Sequence, residues 1–146
     1  MKLKFASAFV LATWFLAGCQ VSTPSPSDEI DAYSLEVNQC VGSIPSQAAT
    51  RLKLKPCDAK HEWEAYAATV ATHAEKPGSA TLAQEAGRYC ETAFADFIGV
   101  TLSKSQYQMT FLMPSDDTWD LGDRNIICLA GLASGGIIGS LDGVAK

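Results

Sequence analysis

Few side chains in this sequence have types and spacing suited to chemistry. Cys57-x-x-x-His61, with Glu64 three residues on, has a spacing found in zinc sites. Such a site closes a tetrahedron of four ligands and needs deprotonated thiolates. Only two histidines are present, His61 and His73, and other cysteines compete for Cys57. We therefore expect no metal and no cofactor. Cys57 is better placed in a disulfide, with His61 capping a turn or bonding a backbone carbonyl. Asp123-Arg124 is the second feature. If Arg124 shares a face with Ile126 and Cys128, its guanidinium is partly covered and needs a carboxylate or carbonyl partner, with Glu64 and Asp123 as candidates. Together His61, Glu64, Asp123, Arg124 and Trp119 form a candidate binding cluster for an acidic peptide or ligand group. The plainer alternative is an ion pair that locks the fold. Trp63 and Trp119 suit either partner anchors or core positions, and core is the commoner fate. His73, in a polar loop before Pro77, is expected to be solvated.

Recognised catalytic patterns are missing: there is no Gly-x-Ser-x-Gly, no glycine-rich phosphate loop and no His-Glu-x-x-His. No pair stands out among the 16 acidic residues. An enzymatic reading, metal-dependent or hydrolytic, rests on His61, Glu64 and Arg124 and comes second to a non-enzymatic one. A redox-active cysteine pair ranks last, because no Cys-x-x-Cys occurs.

The five cysteines divide into one and four. Leu16-Ala17-Gly18-Cys19 has the form of a bacterial lipobox. Before it, Lys2 and Lys4 precede an apolar run of 12 residues, Phe5 to Leu16. A bilayer-spanning helix needs about 20, so this segment is read as a lipoprotein signal peptide over residues 1–18. Cleavage before Cys19 would make that thiol the site of lipidation (a palmitate-type anchor) and place the chain outside the cytoplasm, held to the membrane. Cys40, Cys57, Cys90 and Cys128 remain, an even set that implies two disulfides in an oxidising space.

Charge narrows the partners. The chain carries a net −5; without Lys2 and Lys4, nine basic residues face 16 acidic ones, a net −7. An acidic chain with no basic run is a poor match for phosphate backbones, so nucleic acid is not expected. A hydrophobic fraction of 47% supports a folded core in the 128 residues left after residues 1–18.

The elements that position the candidate residues follow from periodicity. Residues 19–34, with the Pro/Ser-rich, acidic run after Cys19, are expected to act as a flexible tether, reaching about 45 Å when extended. Residues 35–146 are the domain. Leu35–Val37 is expected as a first short strand. Arg51-Leu52-Lys53-Leu54-Lys55 alternates strictly until Pro56, which lacks the N–H a ladder needs. Residues 61–72 suit a strand ending in Thr69, Val70 and Thr72. After Pro77-Gly78, Thr81 and Gln84 suggest a capping box for a helix. Its apolar stripe runs through Leu82, Ala86, Cys90, Phe94 and Phe97 to a terminating Gly99. Tyr107–Met113 alternates, and Pro114 stops it. Ser115–Trp119 reads as one helical turn and Arg124–Ala130 as a strand. Gly135-Gly136 marks a turn before a short last strand, Ile137–Leu141. The fold class is α+β: an antiparallel sheet of four to five strands, one main helix packed across it, and two disulfides.

Four cysteines allow three pairings. Cys90 faces inward from the helix and Cys128 lies on a late apolar strand, while Cys40 and Cys57 each follow an early strand. These positions favour Cys40–Cys57 and Cys90–Cys128, with a crossed arrangement as the alternative.

Pro56-Cys57-x-x-x-His61-x-x-Glu64, Cys90 with Phe94 and Gly99, and Pro114…Trp119-x-x-Gly122-Asp123-Arg124-x-x-x-Cys128 resemble the septum formation family domain, common in envelope proteins of actinobacteria. The resemblance covers about residues 34–141. It departs from the family at one point, where Asn38-Gln39 stands in place of Gly-Asp before the first cysteine. The resemblance implies an extracytoplasmic module linked by name to cell division, with no catalysis to carry over. The expected function is that of a membrane-anchored lipoprotein that binds an envelope protein or wall polymer.

Overall fold

The computed structural model describes residues 29–145. Cys19, the signal peptide and the first part of the expected tether lie outside the described residues. Six strands form one antiparallel sheet: β1 (Glu29–Asp31), β2 (Cys40–Val41), β3 (Arg51–Lys55), β4 (Trp63–Val70), β5 (Gln108–Leu112) and β6 (Asn125–Gly131), in the order β1-β3-β2-β4-β6-β5. The helices are α1 (Ser79–Ile98) and the five-residue α2 (Asp116–Asp120). The class is α+β, with six strands where four to five were expected.

The extra strand comes from residues assigned to the tether. Ile30 pairs with Leu52 across β1 and β3, and Asp31 with Arg51, whose Nη1 donates to Asp31 Oδ1 at 2.9 Å. Ala32 is buried in the turn that follows. Ile30 and Ala32 thus supply the apolar surface that a Pro/Ser-rich run lacks, and the fold begins before residue 35. Leu35–Val37 is not a strand. Leu35 plugs the core from a turn, and the backbone reverses at Asn38, whose φ is 71°. Asparagine tolerates this left-handed conformation better than most residues, so it can make the turn ahead of Cys40.

β6 is buried on both faces, which explains its unbroken apolar run. Ile126, Cys128 and Ala130 face α1, whereas Ile127 and Leu129 face a second core containing Ala32, Leu35, Val41 and Leu52. The sheet must curl for residues of its first strands to meet those of its last. Two bonds mark this closure: Met113 N–H donates to Gln47 O at 2.9 Å, and Asn125 Nδ2 to Tyr33 O at 2.9 Å. β4 contributes a bulge between Ala65 and Ala67. The bulge lets consecutive residues Tyr66 and Ala67 both join the α1 core, while Trp63 and Ala65 join the other.

Leu82, Ala86, Cys90, Phe94 and Ile98 are fully buried along α1, and Gly99 ends it with φ 99°. The helix starts earlier than expected. Gly78 is the N-cap and no side chain caps it, so the Thr81–Gln84 capping box is not formed. Ser79 and Ala80 are both compatible with helix and carry it back to the glycine after Pro77. A capping box does form at α2, between Ser115 and Thr118. No strand forms at 137–141. Ile137 makes a single bridge with His61, and Gly135, Gly136 and Gly139 all take positive φ, which prevents an extended run. The disulfides are Cys40–Cys57 and Cys90–Cys128.

Candidate functional site

β4 and β6 hold the candidate residues at opposite ends of one ladder. Glu64 pairs with Ala130 near the start of β4, and Val70 pairs with Asn125 at its end. Six residues of strand separate the ends by about 20 Å. The single polar cluster expected from the sequence is therefore two sites. His61 and Glu64 sit at one end, and Trp119, Asp123 and Arg124 at the other.

At the first end, His61 and Glu64 are each 1% exposed. His61 lies within 2.9 Å of Ala59 O through Nδ1 and forms its backbone bridge to Ile137. Glu64 accepts from Ser140 Oγ and from Leu141 N–H, both at 2.7 Å, one on each carboxylate oxygen. Those donors lie more than 70 residues away in sequence, and no local signal points to them. They make Glu64 a clamp on the C-terminal segment and occupy it away from Arg124. Cys40 lies beside both residues, bonded to Cys57.

At the second end, Arg124 Nη1 donates to Trp119 O and Asp123 O, each at 2.7 Å, and the guanidinium lies 3.6 Å from the centre of the Trp119 ring. Two carbonyls and an indole face thus hold Arg124: of the two partners considered from sequence, Asp123 takes part through its main-chain carbonyl and Glu64 does not. Asp123 Oδ1 accepts from Asn125 N–H instead. Trp119 is buried, as is Trp63, so neither is an exposed anchor. Among the described residues both Arg124 hydrogen bonds leave from Nη1, so Nη2 and Nε keep donors that a ligand can take.

Beside Arg124 is an open cavity of about 420 Å³, lined by Tyr33, Val70, Leu121, Asp123, Arg124 and Asn125 among others. Leu121 is 86% exposed, Val70 57% and Tyr33 47%. Three exposed apolar side chains around one cation are unlike an ordinary solvated surface. The sequence did not reveal this rim. Tyr33 fell in the expected tether, Val70 ended a strand, and Leu121 stood in a connection. Sheet curl brings Tyr33 to the other two.

His73 is not simply solvated: its Nε2 meets Glu85 Oε2 at 2.9 Å, linking the loop after β4 to α1. At the core of the α1 side, Tyr66 Oη donates to Cys90 O at 2.6 Å, stacks on Phe97 and meets Phe94 edge-on. Burial, with Tyr89 adding to it, pushes the Tyr66 phenol well above its usual range.

A family model described as septum formation matches residues 38–139, from the turn before Cys40 to Gly139. No curated protein and no solved structure matches the chain.

Proposed function

The chain belongs to the septum formation family, and from that premise we propose a membrane-anchored, extracytoplasmic lipoprotein whose domain is a non-enzymatic binding module of the cell envelope. Cys19 carries the lipid, and the occupant of the domain is an envelope protein or wall polymer engaged in septum formation. The observation that carries the reading is the apolar rim of Tyr33, Val70 and Leu121 around Arg124. That combination suits a partner presenting an apolar group beside a carboxylate. The rim supplies apolar area to cover, and the guanidinium supplies directional donors. The second reading, an enzyme using His61, Glu64 and Arg124, needs the three in one place, and Arg124 stands at the far end of the β4–β6 ladder from the other two.

A photo-crosslinker placed at Leu121 in the full-length protein tests the reading in intact cells. Crosslinks to one envelope component, lost when Arg124→Met or Val70→Asp is added, are expected. Crosslinking no stronger than from Glu91, an exposed α1 position, would refute it.

A further inference from the structure

We propose that the Cys40–Cys57 disulfide closes a zinc-class metal site, and that two-electron reduction of the bond opens it. His61 Nδ1 lies 2.9 Å from Ala59 O, and a carbonyl can only accept, so Nδ1 carries the proton. In the neutral ring the lone pair is then on Nε2, which is buried and has no hydrogen-bond partner. Proteins rarely leave such an atom unmatched, and each instance asks for a cause. A ring nitrogen of His61, Cys40 Sγ and a Glu64 carboxylate oxygen lie within 4.8 Å of one another. With Nδ1 committed to Ala59, Nε2 is the nitrogen free to ligate.

The surroundings have the form of a metal site's outer layer. A backbone carbonyl orients the imidazole and sets its tautomer, as is usual for ligating histidines. Ser140 and Leu141 hold the two oxygens of Glu64 separately, and each oxygen keeps a further lone pair. Cys57 Sγ stands outside that trio, bonded to Cys40, and once released it can swing in as the fourth donor. Two sulfurs, one imidazole and one carboxylate suit zinc better than calcium or magnesium.

While the disulfide stands, neither sulfur is a thiolate and the set is incomplete. An external dithiol can open it: the Cys40–Cys57 bond takes two electrons and two protons to give two thiols, and the dithiol becomes its own disulfide. The metal then displaces both thiol protons to solvent. The two bridges differ in access. Cys57 is only half-buried, beside a cavity of about 180 Å³ that Asn38, Lys55 and Pro56 also line. Cys90 and Cys128 have no exposure. A reductant therefore reaches the first bridge and leaves the second intact.

Cobalt(II) titration of the full-length protein carrying Cys19→Ser, so that no fifth thiol competes, tests the site. The oxidised protein is expected to show no thiolate-to-cobalt charge-transfer band. After mild reduction with a water-soluble phosphine, mass spectrometry should find Cys40 and Cys57 alone alkylated. One equivalent of cobalt should then give that band with tetrahedral ligand-field bands. His61→Asn should weaken binding by more than about 100-fold. Glu64→Gln, which keeps an acceptor for Ser140, should weaken it as well and serves if His61→Asn does not fold. The proposal is overturned by a reduced protein without the bands, by equal binding before and after reduction, or by variants that bind like the parent. A reduced chain that unfolds and stays unfolded when cobalt is added, read by circular dichroism, overturns it too.

Discussion

Tyr66 shows how one side chain links core packing to solution behaviour. Its hydroxyl is buried against Cys90 O, and its ring lies between Phe94 and Phe97. Because the phenol's pKa is raised in the folded state, the unfolded chain loses this proton first as pH rises. Stability from this group is thus complete below pH about 10, the ordinary tyrosine value, and falls above it by about 1.4 kcal/mol per pH unit. Unfolding free energies from urea titrations should stay level below pH about 10 and fall with that slope above it. Tyr66→Phe keeps the ring contacts and should abolish the slope from this group; an unchanged slope would contradict the assignment. Gly131 is constrained in another way. A Cβ there would collide with the Glu62 carbonyl oxygen, which accepts from Leu132 N–H, and would press on the Trp63 ring. Gly131→Ala should lower stability by about 1–3 kcal/mol or more through overpacking. Thermal unfolding no different from the parent's would mean that the strand end yields more easily than its pairing suggests.

Among the elements, α1 and its bridge to β6 hold the larger core together. Cys90–Cys128 closes 38 residues and Cys40–Cys57 closes 17, which corresponds to about 4 and 3 kcal/mol of loop-closure stabilisation. Cys128→Ala should therefore be the costlier loss, about 4 kcal/mol against about 3 for the other bridge, and should leave Cys90 as the thiol that maleimide labels once the protein opens. Labelling of Cys57 in that variant would contradict the pairing. Much at this scale was legible beforehand. Strict alternation placed β3 and Pro56 ended it, and the apolar stripe and Gly99 outlined α1. Tyr107, Met109, Phe111 and Met113 all join the α1 core, as their parity requires. The misses share a cause. Leu35–Val37 and Ile137–Leu141 have apolar residues in plausible order, but short segments are governed by the backbone at their ends. There, Asn38 and three glycines adopt positive φ. β1 was missed because its partner strand, and not its own composition, stabilises it.

For the molecule as a whole, anchoring and binding are separable and so can be tested apart. Among the described residues no helix is long and apolar enough to cross a membrane. On our reading the link to the membrane is the lipid at Cys19. Cys19→Ser should move the protein from the membrane fraction to the soluble one without changing its thermal midpoint; unchanged partitioning would remove the lipoprotein assignment. Leu121→Asp should do the opposite, leaving partitioning intact while abolishing capture of the partner. A variant that still captures it would move the contact surface elsewhere on the domain.

The sequence by itself determined what local period and residue type control. These include the α+β class, the inward faces of α1, β5 and β6, and the parity that favours Cys90 meeting Cys128. Only the tertiary structure decided which polar groups meet. Strand order and curl bring Ser140 and Leu141 to Glu64, and Tyr33 to Arg124, while β4 holds His61 and Arg124 apart. Periodicity says which side of an element a residue occupies. It carries no information about which distant segment covers that side, because that choice is made by long-range packing.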